Sequence, residues 1–168
     1  EIDGLKTDLS KDQNRQVYGD GSGAIAVAGS ASAGTNLFNS KDAMYAQLGM
    51  QIDIVDGTTL NNANPTIKAS NRQITGINVS TNVITFDGAV VTTAIGDIIV
   101  RTGNVNREWT GFTKIFKTTG SLYNIDPAVE PVWSAVVDSN AGTNRPLSEG
   151  LMIALADNIR AQGGKTTA

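Results

Sequence analysis

From about residue 29 to residue 104 the apolar residues fall in short runs that alternate with polar ones, and this pattern constrains the fold more than any other feature. Ile52 and Ile54; Ile67; Ile74, Ile77 and Val79; Val83, Ile84 and Phe86; and Ile98 and Val100 include clear stretches of period two. That is the period of strands that bury one face. The runs break at Asp56-Gly57, Ser80-Thr81-Asn82 and Asp87-Gly88, where turn-forming residues predict reversals and the Ser80-Thr81-Asn82 segment predicts a hairpin. Gln47-Leu48-Gly49 before Met50–Ile54 and Ala94-Ile95-Gly96 before Asp97–Val100 place the same apolar-Gly pair ahead of a strand. Two like strands at opposite ends of a β segment point to a small barrel or sandwich, because closing a sheet removes its exposed edges. One short helix, Ser40 to Leu48 with Ser40 or Asn39 as its N-cap, is expected to interrupt the strands.

Helices are expected on both sides of this segment, which makes the class α+β. Ile2, Leu5, Leu9 and Val17 recur near one face at helical spacing, with Asp3, Lys6, Asp8, Lys11, Asp12 and Arg15 around the rest. Gly19 stops that helix, and Asp20-Gly21-Ser22-Gly23 turns the chain. A second helix spans 147–162, with Pro146 before it, Ser148 as N-cap, Leu151, Ala154, Leu155, Asn158 and Ile159 on one face, and Gly163-Gly164 as its exit. Between the β segment and this helix lies the densest run of large apolar residues, from Trp109 to Val137, which holds both tryptophans. With aromatics at only 5% of the chain, Trp109 and Trp133 are expected in the core, a carbohydrate or partner surface around Arg107-Glu108-Trp109 being the alternative.

Composition closes several functional classes. Histidine and cysteine are both absent from the 168 residues, which removes imidazole bases, thiolate nucleophiles, Cys/His metal sites and disulfides. Net charge is −3 with no basic stripe, so sequence-specific nucleic-acid binding is not expected. No run approaches the roughly 20 apolar residues that span a bilayer, and no signal pattern opens the chain, so it reads as soluble. It starts at Glu1-Ile2-Asp3 in mid-pattern and stops just after a helix exit, which reads as a fragment or a processed product.

Few candidate sites remain. Gly19-Asp20-Gly21-Ser22-Gly23 has the glycines of a phosphate loop but follows a helix instead of a strand, and Asp20 lacks the acidic partners of a Ca²⁺ loop. A helix stop is the reading it supports. Asp53, Asp56, Asp87 and Asp97 fall at strand ends or turns, where carboxylates bind nearby amides, and pairing of two of them as an acid and base is the alternative. Asn78-Val79-Ser80 is a formal glycosylation sequon without a secretory context. No catalytic, cofactor-binding or metal residue is expected, and no cofactor.

Asn14-Arg15-Gln16-Val17-Tyr18-Gly19-Asp20-Gly21-Ser22-Gly23 resembles the end of the spine helix in tailed-phage major capsid proteins of the Hong Kong 97 fold, where a Tyr-Gly-Asp-Gly-Thr/Ser-Gly exit leads into the axial domain. Gly111-Phe112-Thr113-Lys114-Ile115, Tyr123-Asn124-Ile125-Asp126-Pro127, Trp133 and the following helix look like the same family. The resemblance covers roughly residues 1–28 and 105–168. It implies a spine-helix end at 1–28, an inserted β-rich domain at 29–104 and an axial-domain part at 105–168. It further implies a structural protein of a phage or prophage that self-assembles into the icosahedral shell enclosing DNA. Partners would be copies of itself in capsomers, with scaffolding and portal proteins, and no membrane. Such a chain would reside in the virion capsid after assembly in the bacterial host cytoplasm. The full family pattern also has an N-terminal arm, an extended loop, a longer spine helix and further strands, none of which this sequence contains. A β-rich binding module of a phage tail or adhesin, and an enzyme working through carboxylates, are the competing readings.

Overall fold

The computed structural model describes residues 2–163, and the chain divides into two compact units, Glu1–Gly111 and Phe112–Ala168. Helix and strand occur together, as the α+β expectation has it. The first unit opens with α1 (Ile2–Tyr18), whose C-terminal turn closes with the Gly19 amide donating to the Gln16 carbonyl.

Eight strands follow: β1 (Ala24–Val27), β2 (Ser32–Thr35), β3 (Leu37–Asn39), β4 (Gln51–Val55), β5 (Ile67–Asn78), β6 (Val83–Phe86), β7 (Val91–Thr93) and β8 (Ile98–Arg101). Six of them form one antiparallel sheet in the order β1-β8-β4-β5-β6-β3, and β2 pairs with β7 in a separate ribbon. The large sheet curls until its two edges meet. Ala28, just past β1, bridges Ser40, just past β3; the Gly29 amide donates to Asn39 O (2.9 Å) and the Lys41 amide to Val27 O (2.8 Å). Closure leaves neither edge free to template another chain. β5 supplies the stagger that closure needs: its first half pairs with β4 through Gln73 and its second half with β6 from Ile74.

The expected hairpin is β5–β6, with Asn78 opposite Val83 across the Ser80-Thr81-Asn82 turn. The two like strands β4 and β8 are direct neighbours, Ile54 opposite Ile99, and each follows a glycine in the left-handed region, Gly49 at φ 81° and Gly96 at φ 90°. The sheet also takes in β1, so the strand-bearing part begins at Ala24, five residues before the 29–104 span.

The curled sheet encloses Ala26, Ala28, Phe38, Ile52, Ile54, Ala69, Ile74, Ile84, Phe86 and Ile99, and the ribbon adds Val91. Side chains alternate along a strand, so Ile98 and Val100 face the other way from Ile99. They bury with Val55 against Ala24, Val27, Leu60 and Val105. Ile98-Ile99-Val100 is therefore an uninterrupted apolar run because both faces of β8 are covered.

The Ser40–Leu48 helix does not form. Ser40 instead bridges Ala28 and its hydroxyl donates to Asn82 O, while Asp42 accepts the Met44 amide at 2.8 Å in a local turn. Ala43 is drawn into the core, 2% exposed. Core burial and edge pairing thus override the helical spacing.

In the second unit, α2 (Phe112–Ile115) is a single turn, extended by the stacking of Phe112 on Phe116 with ring centres 5.3 Å apart. Tight turns at Pro131–Trp133 and Asn140–Gly142 precede α3 (Glu149–Ala161). Ser148 caps α3 as expected, accepting the Leu151 amide, and Gly163 leaves it at φ 87°. Gly164 lies outside the described residues.

Candidate functional site

The four aspartates singled out in the β segment are all occupied by hydrogen bonds. Asp53, buried on the face of β4 opposite Ile52 and Ile54, accepts the amides of Asn71 (2.8 Å) and Gly103 (2.9 Å). Asn71 sits at φ 53° in β5, so this carboxylate pins an irregular point in the longest strand. Asp87 accepts the Gln73 amide at 2.7 Å. Asp56 accepts the Thr58 amide (2.8 Å) and hydroxyl (2.6 Å). Those two bonds hold its carboxyl below the ordinary range, helped by Lys68. Asp97 accepts the Ala94 amide (2.7 Å), the Gly57 amide (3.2 Å) and the Lys68 ammonium (2.7 Å).

Two of the four do converge, since Lys68 Nζ lies 2.7 Å from Asp97 and 3.8 Å from Asp56. The ammonium offsets one of the two negative charges, and two backbone amides fix the Asp97 carboxylate. Such an arrangement locks the 56–58 turn to the 94–97 turn. A position beside Gly57 confirms how close they are: a Cβ there would lie 2.0 Å from Gly96 O.

Arg15 is a larger polar node, and the helical pattern misplaces it. Expected on the polar face, it is only 7% exposed. Its guanidinium donates to Asp12 (3.0 and 3.2 Å), to Ala24 O (2.9 Å) and, through both terminal nitrogens, to Glu108 (3.0 and 2.5 Å). Burial works against the guanidinium's charge, but the hydrogen bonds to Glu108 and Asp12 outweigh it and hold its pKa above the ordinary value. Asn104 donates to Glu108 as well, and Arg101 reaches Asp12 at 3.4 Å. The buried fork carries the C-terminal half of α1 onto the start of β1 and the 104–108 segment.

The glycine-rich exit belongs to the same joint. Asp20 accepts the Ser22 amide, and the Asn106 amide donates to Ser22 O. Gly23, at φ 83°, stacks so closely that a Cβ would lie 2.6 Å from Asn104 O, and Gly21 would meet Trp109 O at 3.2 Å. The space in which a phosphate loop would cradle its ligand is filled by the chain's own backbone.

Both tryptophans depart from the core expectation, Trp109 being 58% and Trp133 65% exposed. The curled sheet fills its interior with Ile, Val, Ala and two phenylalanines, Phe38 and Phe86, and neither tryptophan is among them. Trp109 instead borders an open polar cleft with Gln16, Arg101 and Arg107. In the second unit Pro127 is the only buried residue beyond Gly111 among those described. Phe116, Tyr123, Val129 and Val132 are all more than half exposed, as are Met152 and Ile153 on α3. The first half of α1 likewise leaves Leu5 and Leu9 exposed, 71% and 57%.

Among the described residues no acidic, His or Cys cluster could hold a metal ion, and no helix is long and apolar enough to cross a membrane. No protein-family model, curated protein or solved structure matches the chain.

Proposed function

We propose that the chain is a structural subunit, part of a tailed-phage or prophage major capsid protein of the Hong Kong 97 type, whose task is to pack against copies of itself in a shell around DNA. The observation that carries this reading is the division of apolar surface. One unit owns a closed β core of buried side chains, while among the described residues α1 and the second unit expose long apolar side chains without a buried cluster of their own. Exposed apolar surface on this scale marks contact with other protein, and repeated contacts between identical subunits build a stable closed assembly even where each is modest. The Tyr18–Gly23 exit, stacked on residues 104–109 behind a 17-residue helix, supports the same family reading. Within it, residues 29–104 are the main body of the inserted β domain, and no catalytic chemistry is assigned to Asp53, Asp56, Asp87 or Asp97.

A binding module of a phage tail or adhesin is the second reading. Exposed Trp109 beside Arg101 and Arg107 favours it, since Trp and Arg dominate contact hot spots. Mass spectrometry of purified particles from the producing bacterium separates the two. A shell subunit contributes peptides of this chain among the most abundant in the particle and in its DNA-filled heads. Peptides confined to tail fractions would transfer the chain to the second reading.

A further inference from the structure

The β2–β7 ribbon stands outside the large sheet, and neither of its strands carries a charge. No Asp, Glu, Lys or Arg occurs from Ala24 to Ser40 or from Gly88 to Gly96. Ser32, Val91 and Thr93 turn inward and are buried, while Ala33, Val90, Thr92, Ala94 and Ile95 are exposed, Val90 at 63% and Ile95 at 68%. A ribbon of two strands is marginal in water and gains from further strands.

The two edges of the ribbon differ. Ser32 pairs with Thr93 and Thr35 with Val91, which sets Ala33 and Gly34 against Thr92 alone, and Gly34 adopts φ 58°. β2 is therefore bulged, and a bulge spoils an edge for strand addition. The extra residue lies on β2 and not on β7, and β2 is the only strand that pairs with β7 among the described residues. Ala89-Val90-Val91-Thr92-Thr93-Ala94-Ile95 is rich in β-branched residues, uncharged and free of Gly and Pro, which is the composition of segments that add to an edge. No lysine, proline or inward-pointing charge protects it.

We infer that a second copy of this chain adds at β7, strand against identical strand, antiparallel and centred on Thr92. The order of residues in the segment selects that occupant. Antiparallel pairing about Thr92 sets Thr92 opposite itself and Val90 opposite Ala94, so the exposed face gains a Thr–Thr pair flanked by apolar pairs, and no charge meets a like charge. An uncharged edge gives a partner of either sign nothing to grip. The same patch serves on both copies, so the contact is isologous, and two ribbons become one sheet in the order β2-β7-β7-β2. With β7 only three residues long, the contact is modest and counts through repetition. It rests on the self-association proposed above and names one contact within it.

A contact on a two-fold axis can be trapped with one cysteine, and the chain has none of its own. Residues directly opposite in an antiparallel pair lie about 4.5–5.5 Å apart at Cα, within disulfide reach. Thr92→Cys in the full protein, oxidised under assembly conditions, should give linked dimers at about tenfold the level of Thr81→Cys on the exposed β5–β6 turn. Thr92→Lys sets two ammonium groups opposite each other and should weaken association about tenfold relative to Thr92→Val. Both variants lose the Gly34 amide contact to the Thr92 hydroxyl, so Thr92→Val is the control for folding. Normal assembly of wild type with no excess Thr92→Cys dimer, or with Thr92→Lys associating as tightly as Thr92→Val, overturns this contact and leaves self-association standing. A wild-type protein that does not associate at all overturns both.

Discussion

Replacing Arg15 with Met tests whether the buried guanidinium is what joins α1 to the β unit. Arg15 and Glu108 are each only 7% exposed as side chains, and their bidentate contact is supported by Ala24 O and Asn104. Met preserves most of the length and apolar bulk, so packing loss is small and the charge dominates. Removal leaves Glu108 buried with Asn104 as its remaining hydrogen-bond donor, and leaves Ala24 O without the Arg15 bond. Asp12, nearer the surface, retains Gln16 and Arg101. Breaking a buried pair from one side costs about 3–5 kcal/mol, and for a unit of this size that lowers the melting temperature by roughly 12 °C or more. Pairing Arg15→Met with Glu108→Leu removes the stranded charge and should recover more than half of the loss. Urea and thermal unfolding followed by circular dichroism read both. A single variant within about 1 kcal/mol of wild type, or a double variant no better than the single, would refute the account of this joint.

Asp97→Ala strands the Ala94 and Gly57 amides and Lys68, and should cost about 3 kcal/mol in urea unfolding. Gly57→Ala drives a Cβ into Gly96 O and should cost about 2–4 kcal/mol. Gly34→Ala, where no atom lies within 4 Å, pays only for its φ of 58°, about 1 kcal/mol. A fragment of residues 20–111 should unfold cooperatively with a β-type spectrum, whereas residues 29–104 alone lack β1, expose that edge of β8 and should melt lower. Asp56 is held below the ordinary carboxylate range when folded, so its contribution is present above about pH 4 and is lost as pH falls through the lower folded value. Asp56→Asn should flatten the acid side of the Tm–pH curve, and an unchanged slope would contradict the role given to Thr58.

The parts legible in sequence are those fixed by local chemistry. α1 ends at Gly19 because a glycine follows an amphipathic run, α3 starts at Ser148 because its hydroxyl caps the helix, and the β5–β6 hairpin turns where apolar alternation stops. The likeness of the segments before β4 and β8 carried three-dimensional information, since those strands pair and both leading glycines adopt positive φ. What sequence hid depends on distant partners. Nothing near Arg15 announces Glu108, 93 positions away, so a charged residue on a helix reads as solvent-facing until its partner is placed. Lys68 gave no signal of its place between Asp56 and Asp97 for the same reason. Ser40–Leu48 has helical spacing, but Ala43 is worth more in the core and Ser40 more at the closing bridge. Scarcity of aromatics points Trp109 and Trp133 to an interior, yet the core of the curled sheet is made of aliphatic side chains with Phe38 and Phe86.

Under the proposed function, the exposed apolar faces of α1 and of the second unit are covered by copies of the chain in a shell. Electron microscopy with light scattering on the full protein under assembly conditions, with a candidate scaffolding protein supplied, tests this most directly. The account predicts closed particles of uniform diameter and a scattering mass of many subunits, while residues 1–168 alone stay monomeric or weakly associated. A full protein that remains monomeric under those conditions would contradict it.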